Sequence, residues 1–265
     1  MKKYTSVFML YARGTLYRIL ILLLFSILIQ GGFFIFLLHS NFAPSISGAN
    51  TSGNFSSGEE FTIGLETVLD RSHAALIFGI TFLILLLMLS LNGCEWNGKQ
   101  SYTLRRLSIP ESHIFLCQAA YHFCCLLIMW GAELLTMLLF CVVWLAKTAT
   151  GNPIYGQTIF LACYRSAFLH SLLPLADISR LCRNLLAALS LSLSTAYFPY
   201  CQRHGRFAVS LLLNAGITVT FFCGEMGYLQ NDLLMILAGL AIAVHNVIYV
   251  FGEASETDSA MTPKG

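Results

Sequence analysis

The chain has 265 residues, of which 57% are hydrophobic and 11% charged, and its mean hydropathy is +0.72. A soluble domain carries about 25% charged residues, so this composition excludes a water-soluble globular enzyme, while 20 Phe, 11 Tyr and 3 Trp exclude a disordered chain. An integral membrane protein with several spans remains. The net charge of +2 gives no indication of a nucleic-acid partner.

Six apolar runs are interpreted as membrane spans, because a span needs about 20 mainly apolar residues to cross a hydrocarbon core of about 30 Å. The sequence therefore predicts an all-α, polytopic membrane protein. The six runs cover residues 19–38, 74–91, 114–146, 185–200, 207–223 and 233–251.

A further apolar stretch at residues 158–175 is ambiguous. Arg165 lies near its middle, and His170 and Pro174 interrupt the rest. A central arginine costs about 2.5–3.5 kcal/mol on membrane-insertion scales. The stretch is therefore expected to be an interfacial or re-entrant helical segment between spans three and four, with a seventh span as the alternative.

The distribution of basic residues predicts the orientation, since loops rich in Lys and Arg face the cytoplasm. In the six-span arrangement ten of the 15 Lys and Arg residues lie on one side, together with both termini. Both termini are therefore expected to be cytoplasmic. The other five basic residues are Arg71, Lys147, Arg165, Arg180 and Arg183.

The runs also define the expected organisation of the chain. Residues 1–18 are predicted to form an amphipathic segment on the inner membrane surface, followed by a transmembrane domain at 19–251 and a polar cytoplasmic tail at 252–265. The domain has an inner loop at 93–113 and outer loops at 39–73 and 147–184.

Four polar residues inside the predicted spans are candidates for a substrate pathway. Intramembrane polar groups are costly and therefore indicate function or interhelical bonding. Glu133 is the leading candidate, because it is the one acid inside a predicted span. The alternative is a hydrogen bond to another helix that only fixes packing, and the sequence favours neither role over the other. The other three candidates are His122, Asn214 and His245, and for the histidines interhelical bonding is preferred to metal binding.

Small residues recur at four-residue spacing in two of the later spans. Ala188, Ser192 and Ala196 lie on one, and Gly239 and Ala243 on the other. Such spacing favours close helix packing in a bilayer. It predicts a compact bundle and says nothing about a substrate.

The sequence contains no motif that indicates catalysis, a metal or a cofactor. The nine cysteines form no C-x-x-C pair and no zinc-type spacing with histidine. Residues 93–100 approach a phosphate-binding loop but end in Gln100 where Ser or Thr is required. The chain is therefore not expected to be an enzyme.

The inner loop at residues 98–113 is the most informative polar segment. Ser108 and Glu111 form a capping box for the helix that leads into span three, with Pro110 in its first turn. Before them, apolar and basic side chains alternate in a pattern that suits a docking surface. The predicted contact residues are Tyr102, Leu104, Arg105, Arg106 and Glu111.

In its layout the chain resembles the permease subunits of bacterial ABC transporters of the exporter-like, six-span kind. The similarity includes the N-terminal amphipathic segment, the six spans, the cytoplasmic termini and the short helical loop at 98–113; residues 164–175 and 197–206 also resemble stretches of such permeases. In that family the loop is the coupling helix, which fits a cleft of a separate ATP-binding subunit.

The resemblance implies a permease without ATPase activity of its own, in a bacterial cytoplasmic membrane. Its implied partners are an ABC ATP-binding subunit, a second permease copy or paralogue, and the lipid bilayer. Two other classes fit the composition: a non-transporting accessory or sensor subunit, and a proton-coupled transporter that uses Glu133.

Overall fold

The structure is a computed structural model that describes residues 2–42, 65–92, 94, 110–148, 157–174, 177–222 and 229–261. Within these ranges the chain is all-helical and contains no strand, as the sequence predicts. The helices are α1 Lys2–Phe42, α2 Leu65–Arg71, α3 Ala74–Leu91, α4 Glu111–Thr148, α5 Gln157–Arg165, α6 Ala167–Leu172, α7 Ile178–Arg203, α8 Val209–Phe222 and α9 Leu229–Met261.

Four of these helices are long and apolar enough to cross a membrane: α1, α3, α4 and α9. Their apolar parts are Ser6–Ser40, Ala74–Leu91, Glu111–Ala146 and Gln230–Glu253, with mean hydropathies between 2.2 and 2.7. These four match predicted spans one, two, three and six, and they make the chain a candidate membrane protein by its structure as well as its composition.

The other two predicted spans correspond to helices of a different character. Helix α7 has 26 residues but carries buried polar groups along much of its length. Helix α8 is apolar but has only 14 residues, which is about 21 Å at 1.5 Å per residue. Their assignment as spans four and five therefore depends on how they pack against the four longer helices.

The predicted N-terminal segment at residues 1–18 is continuous with the first span. Helix α1 runs without a break for 41 residues, or about 60 Å, which is twice the thickness of the hydrocarbon core. Val7 and Tyr11 are each 1% exposed, because this part of α1 packs against other helices. The segment thus contributes to the core of the bundle.

The predicted interfacial stretch at residues 158–175, which the structure describes up to residue 174, contains two short helices instead of one long helix. Helices α5 and α6 have nine and six residues, and the extended backbone of Ser166 separates them (φ −79°, ψ 118°). Neither is long enough to cross a bilayer. The indole Nε1 of Trp130 donates to the carbonyl oxygen of Leu172 at 3.0 Å, which attaches α6 to α4.

Helices α1 and α4 run parallel, and α3 runs in the opposite direction beside them. The Tyr11 hydroxyl donates to Gln118 Oε1 at 3.2 Å, and further along both helices the rings of Phe34 and Phe140 stack at 4.5 Å. Gln118 Nε2 donates to the carbonyl oxygen of Asn92 at the end of α3, at 2.8 Å. The start of α4 thus lies beside the end of α3.

Helix α7 is antiparallel to α4 and parallel to α9. His204, which follows α7, lies beside Glu111 at the start of α4. Arg183 near the start of α7 contacts Asp232 near the start of α9, and Tyr200 near the end of α7 contacts Glu253 in α9.

These contacts define two ends of the bundle. We call the end marked by Asn92, Glu111, His204 and Glu253 the basal end. The opposite end, where α7 and α9 begin, is the distal end. The early residues of α1 lie towards the basal end through the Tyr11 contact.

The close approach of α7 and α9 depends on Gly239, one of the small residues singled out in the sequence. A Cβ atom at this position would lie 3.3 Å from Ser190 Oγ and 3.7 Å from Ser190 Cβ. A larger side chain would therefore force the two helices apart. The interhelical hydrogen bonds on this face of α7 would lengthen with them.

We expect Gly239→Leu to destabilise the protein by about 1–3 kcal/mol, the usual cost of overpacking a well-packed core. Thermal unfolding in mild detergent measures this change. Gly32→Leu on α1 is the matched control, because a Cβ there would have nothing within 4 Å. Equal melting temperatures for the two variants would contradict the close-packing role.

Candidate functional site

Of the five predicted docking residues, the structure describes Glu111, and the other four (Tyr102, Leu104, Arg105 and Arg106) lie outside the described residues. Glu111 begins α4, and its carboxylate Oε2 lies 3.7 Å from His204 Nε2. Both side chains are partly exposed. The helix that leaves the inner loop is thus in contact with the end of α7 at the basal end.

A second set of polar contacts ties α9 to the same end. The Tyr200 hydroxyl donates to Glu253 Oε2 at 3.1 Å, and Arg206 Nη1 lies 3.3 Å from Glu253 Oε1. The Arg206 guanidinium also lies over the ring of Tyr249, 5.3 Å from its centroid. As a result α4, α7 and α9 are connected through side chains at the basal end.

Two of the four candidates inside the spans, His122 and Asn214, meet on α7. His122 is fully buried, and its Nδ1 lies 2.8 Å from Thr195 Oγ1. The Asn214 amide Nδ2 donates to Ser190 Oγ at 3.2 Å and to Ser194 Oγ at 3.1 Å. The hydroxyl-rich face of α7 therefore collects polar groups from α4 and α8.

We call this set of buried polar side chains on α7 and its neighbours (His122, Ser190, Ser194, Thr195 and Asn214) the polar layer. Helix α9 also contributes to it, through Asn246 and not through the predicted His245. Asn246 is fully buried, and its Nδ2 donates to Ser194 Oγ at 3.1 Å, whereas His245 is on an exposed face of α9. The signal was in the sequence: Asn246 follows Gly239 and Ala243 by seven and three residues, and this spacing puts all three on one helix face.

Glu133 lies apart from this layer, between α4 and α1. Its carboxylate is buried, with 5% of the residue exposed. Gln30 Nε2 donates to both carboxylate oxygens, at 2.9 and 3.2 Å. Glu133 therefore joins α1 to α4 through a hydrogen bond. This is the packing role that the sequence offers as the alternative to a place in a substrate pathway.

A buried cluster of charged residues at the distal end was not predicted from the sequence. Arg180, Arg183 and Asp232 are 3%, 2% and 6% exposed. Arg183 Nη1 lies 2.7 Å from Asp232 Oδ1, and Arg180 Nε lies 3.5 Å from Asp232 Oδ2. Asp177, which is 47% exposed, lies 3.9 Å from the same Arg180 nitrogen.

The cluster extends into α6 through Asn184 and into α8 through a main-chain carbonyl, because Arg183 Nη2 lies 3.5 Å from the carbonyl oxygen of Phe222. Arg183 donates from Nε and Nη2 to Asn184 Oδ1, at 3.2 and 3.1 Å, and Asn184 Nδ2 donates to the carbonyl oxygen of Ser171 at 2.7 Å. Both arginines, Arg180 and Arg183, lie in the predicted outer loop at residues 147–184. Their i, i+3 spacing at the start of a helix was the available signal that they share one face.

A cavity of about 330 Å³ lies between α3, α4, α7 and α8. Its wall is mainly apolar and includes Phe78, Phe82, Leu126, Met129 and Leu191. None of the four predicted pathway residues lines it. The cavity and the polar layer are thus separate features of the bundle, both of which border α7.

The described residues contain no group of three or more His, Cys, Asp or Glu side chains that could hold a metal ion. The eight cysteines among them are free. Burial raises the pKa of the Cys94 thiol to about 11 and also raises the pKa of Cys163. Both are therefore uncharged at neutral pH and behave as small apolar side chains.

No protein family, curated protein or solved structure matches this sequence.

Proposed function

We propose that this chain is the membrane-spanning subunit of an ATP-driven transporter of the ABC class, with ATP hydrolysis carried out by a separate subunit. In this arrangement α1, α3, α4, α7, α8 and α9 are the six spans. The basal end faces the cytoplasm, and two copies or paralogues complete the transporter.

The observation that carries the proposal is the set of contacts at the basal end. The inner loop is attached to the end of α3 and to the start of α4, and Glu111 of α4 contacts His204 after α7. The contacts of Glu253 then connect α7 to α9. A partner that binds the loop at residues 98–113 would therefore act on four helices at once.

This arrangement provides a mechanical route from a partner to the bundle. A displacement of the loop on nucleotide binding would move the start of α4 relative to the ends of α7 and α9. Long helices transmit such movements as rigid bodies, and alternation between two packings is a common form of switching. The exposed contacts at the basal end are weak individually, so their rearrangement costs little.

The proposal is tested first by purifying the tagged protein from its own host in mild detergent and identifying what accompanies it by mass spectrometry. A stoichiometric ATPase with a phosphate-binding loop supports the proposal. A folded, monodisperse preparation without one contradicts it and favours the accessory or proton-coupled classes.

Reversal of both loop charges, Arg105→Glu with Arg106→Glu, is expected to uncouple ATP hydrolysis from transport while the protein stays in the membrane. Like-charge contacts at an interface cost several kcal/mol, so recovery of the ATPase should fall by about tenfold or more. Lys2→Glu with Lys3→Glu is the matched control, with the same change of charge near the N-terminus. Equal recovery from both double variants would argue against docking at residues 98–113.

A further inference from the structure

The cavity between α3, α4, α7 and α8 contains polar residues, but their polar atoms are already used. Asn184 is bonded to Arg183 and Ser171, as described above. Thr218 Oγ1 donates to the carbonyl oxygen of Asn214 at 2.9 Å, and Trp130 Nε1 donates to that of Leu172. A polar ligand inside would therefore lose its hydrogen bonds to water without replacement, which is unfavourable.

The charges nearby do not reach the cavity either. Arg183 is 2% exposed and is covered by Asn184 and by Phe222, whose ring centroid lies 5.9 Å from the guanidinium carbon. Asp232 and Asn184 accept hydrogen bonds from the guanidinium nitrogens of Arg183. The cavity therefore selects for an apolar occupant.

The cavity lies at the side of the bundle and not along its axis. Several residues of its wall are also substantially exposed at the surface: Leu76, Ile80 and Leu83 on α3 by 46–59%, and Val219 on α8 by 43%. In a bilayer this surface faces lipid hydrocarbon. An apolar chain can thus reach the cavity from the side, between α3 and α8.

The dimensions of the cavity match one leaflet. Its wall on α3 extends from Ala75 to Leu83, a rise of about 12 Å, which begins at the distal end of that helix. Half of the hydrocarbon core is about 15 Å thick. The volume of about 330 Å³ is about twice that of an engineered apolar cavity that binds benzene.

We infer that this cavity binds one acyl chain of a membrane lipid, which enters laterally from the leaflet at the distal end. The head group stays outside, at the level where α3 and α7 begin. The inference rests on the proposed function for the membrane location of α7 and α8, and it identifies a lipid as the class of substrate. It does not depend on the ATPase.

Photo-crosslinking in nanodiscs tests the inference without ATP or a partner. The probe is phosphatidylcholine with a diazirine midway along one acyl chain, at a low mole fraction in unlabelled phosphatidylcholine. Labelled residues are identified by mass spectrometry. Met129 and Leu191 are 4% and 1% exposed, so bulk lipid does not reach them, whereas Leu237 on α9 is 57% exposed and serves as the internal reference.

We expect labelling of Met129 and Leu191 in the wild type and a decrease of about tenfold or more in Gly79→Leu. Gly79 lines the cavity, and a Cβ there has nothing within 4 Å, so leucine occupies the space of the lipid chain. Gly216→Leu is the matched control on an exposed face of α8, where a Cβ also has nothing within 4 Å. It should label as the wild type does.

Two results would overturn the inference: labelling restricted to exposed residues such as Leu237, or labelling of Met129 and Leu191 that Gly79→Leu leaves unchanged. The melting temperature shows that each variant is folded, and Leu237 labelling normalises for access to bulk lipid. Cavity labelling in a protein that recovers no ATPase would retain the lipid site and reject the ATP-driven transporter. Recovery of an ATPase partner without cavity labelling would retain the ATP-driven transporter and reject the lipid site.

Discussion

Asp232→Ala is expected to lower the stability of this protein by about 3–5 kcal/mol, the usual cost of removing one partner from a buried ion pair. The carboxylate of Asp232 lies between two buried guanidinium groups, 2.7 Å from Arg183 Nη1 and 3.5 Å from Arg180 Nε. Without it, two positive charges remain in a low-dielectric interior with one exposed acid, Asp177, nearby. The loss would separate the start of α9 from the start of α7.

Thermal unfolding in mild detergent, followed with a thiol-reactive fluorophore, measures the effect, because Cys125, Cys141 and Cys201 are buried and react on unfolding. At about 2–4 °C per kcal/mol for a chain of this size, we expect Tm to fall by about 10 °C.

Asp177→Ala is the matched control for this prediction. It removes the same group beside the same Arg180, at 3.9 Å, but Asp177 is 47% exposed. Asp177 also lies 3.1 Å from Nε2 of the buried His170, but its half-exposed carboxylate is largely solvated. The loss should therefore be about 1 kcal/mol, and the fall in Tm should be smaller than for Asp232→Ala. A similar fall in both variants would show that burial of the Asp232 pair is not what stabilises the distal end.

Glu133→Ala is expected to destabilise the α1–α4 contact by about 1–3 kcal/mol, the cost of leaving a buried polar group without its partner. Gln30 is 1% exposed, and its Nε2 donates to both Glu133 oxygens. Its Oε1 has no hydrogen-bond partner among the described residues. Removal of the carboxylate would therefore leave both ends of the Gln30 amide unsatisfied.

Glu133→Gln is expected to be at least as stable as the wild type, since a glutamine amide can accept from Gln30 Nε2 and donate to Gln30 Oε1. Thermal unfolding of Glu133→Ala, Gln30→Ala and the double variant gives the coupling between the two side chains. Additive losses would contradict the interhelical bond.

The same Glu133→Gln variant separates packing from proton transport. If Glu133 only joins α1 to α4, the variant keeps the activity of the wild type. If Glu133 carries protons, the stable variant loses a pH-dependent flux in membranes free of ATP. The second result would replace the ATP-driven transporter with the proton-coupled one.

The long helices could be predicted from the sequence because their apolar runs are long. Four of the six predicted spans, α1, α3, α4 and α9, have the length and hydropathy to cross a bilayer. The arginine within residues 158–175 argued against a seventh span, and the described part of this stretch, up to residue 174, forms two short helices. These are local properties, since the hydrophobicity and length of a run do not depend on the rest of the chain.

The identity of the buried polar partners could not be predicted in the same way. Asp232 pairs with Arg183 across 49 positions, and Gln30 with Glu133 across 103, and no local pattern specifies such pairs. His245 and its neighbour Asn246 are different, because a one-residue step rotates a helical side chain by about 100° and the spacing from Gly239 and Ala243 indicates that Asn246 is the one on the packed face. Its partner, Ser194 of α7, is decided by packing alone.

Composition and apolar run lengths thus determine that this chain forms helices long and apolar enough to cross a membrane, because burial in lipid requires long apolar helices whatever their neighbours. The polar layer on α7, the distal charge cluster and the lateral cavity arise only when the helices pack. Each combines side chains from two or more helices, and the pairs are as far apart in the sequence as Arg183 and Asp232. Their geometry depends on the crossing of those helices, which is a property of the whole bundle.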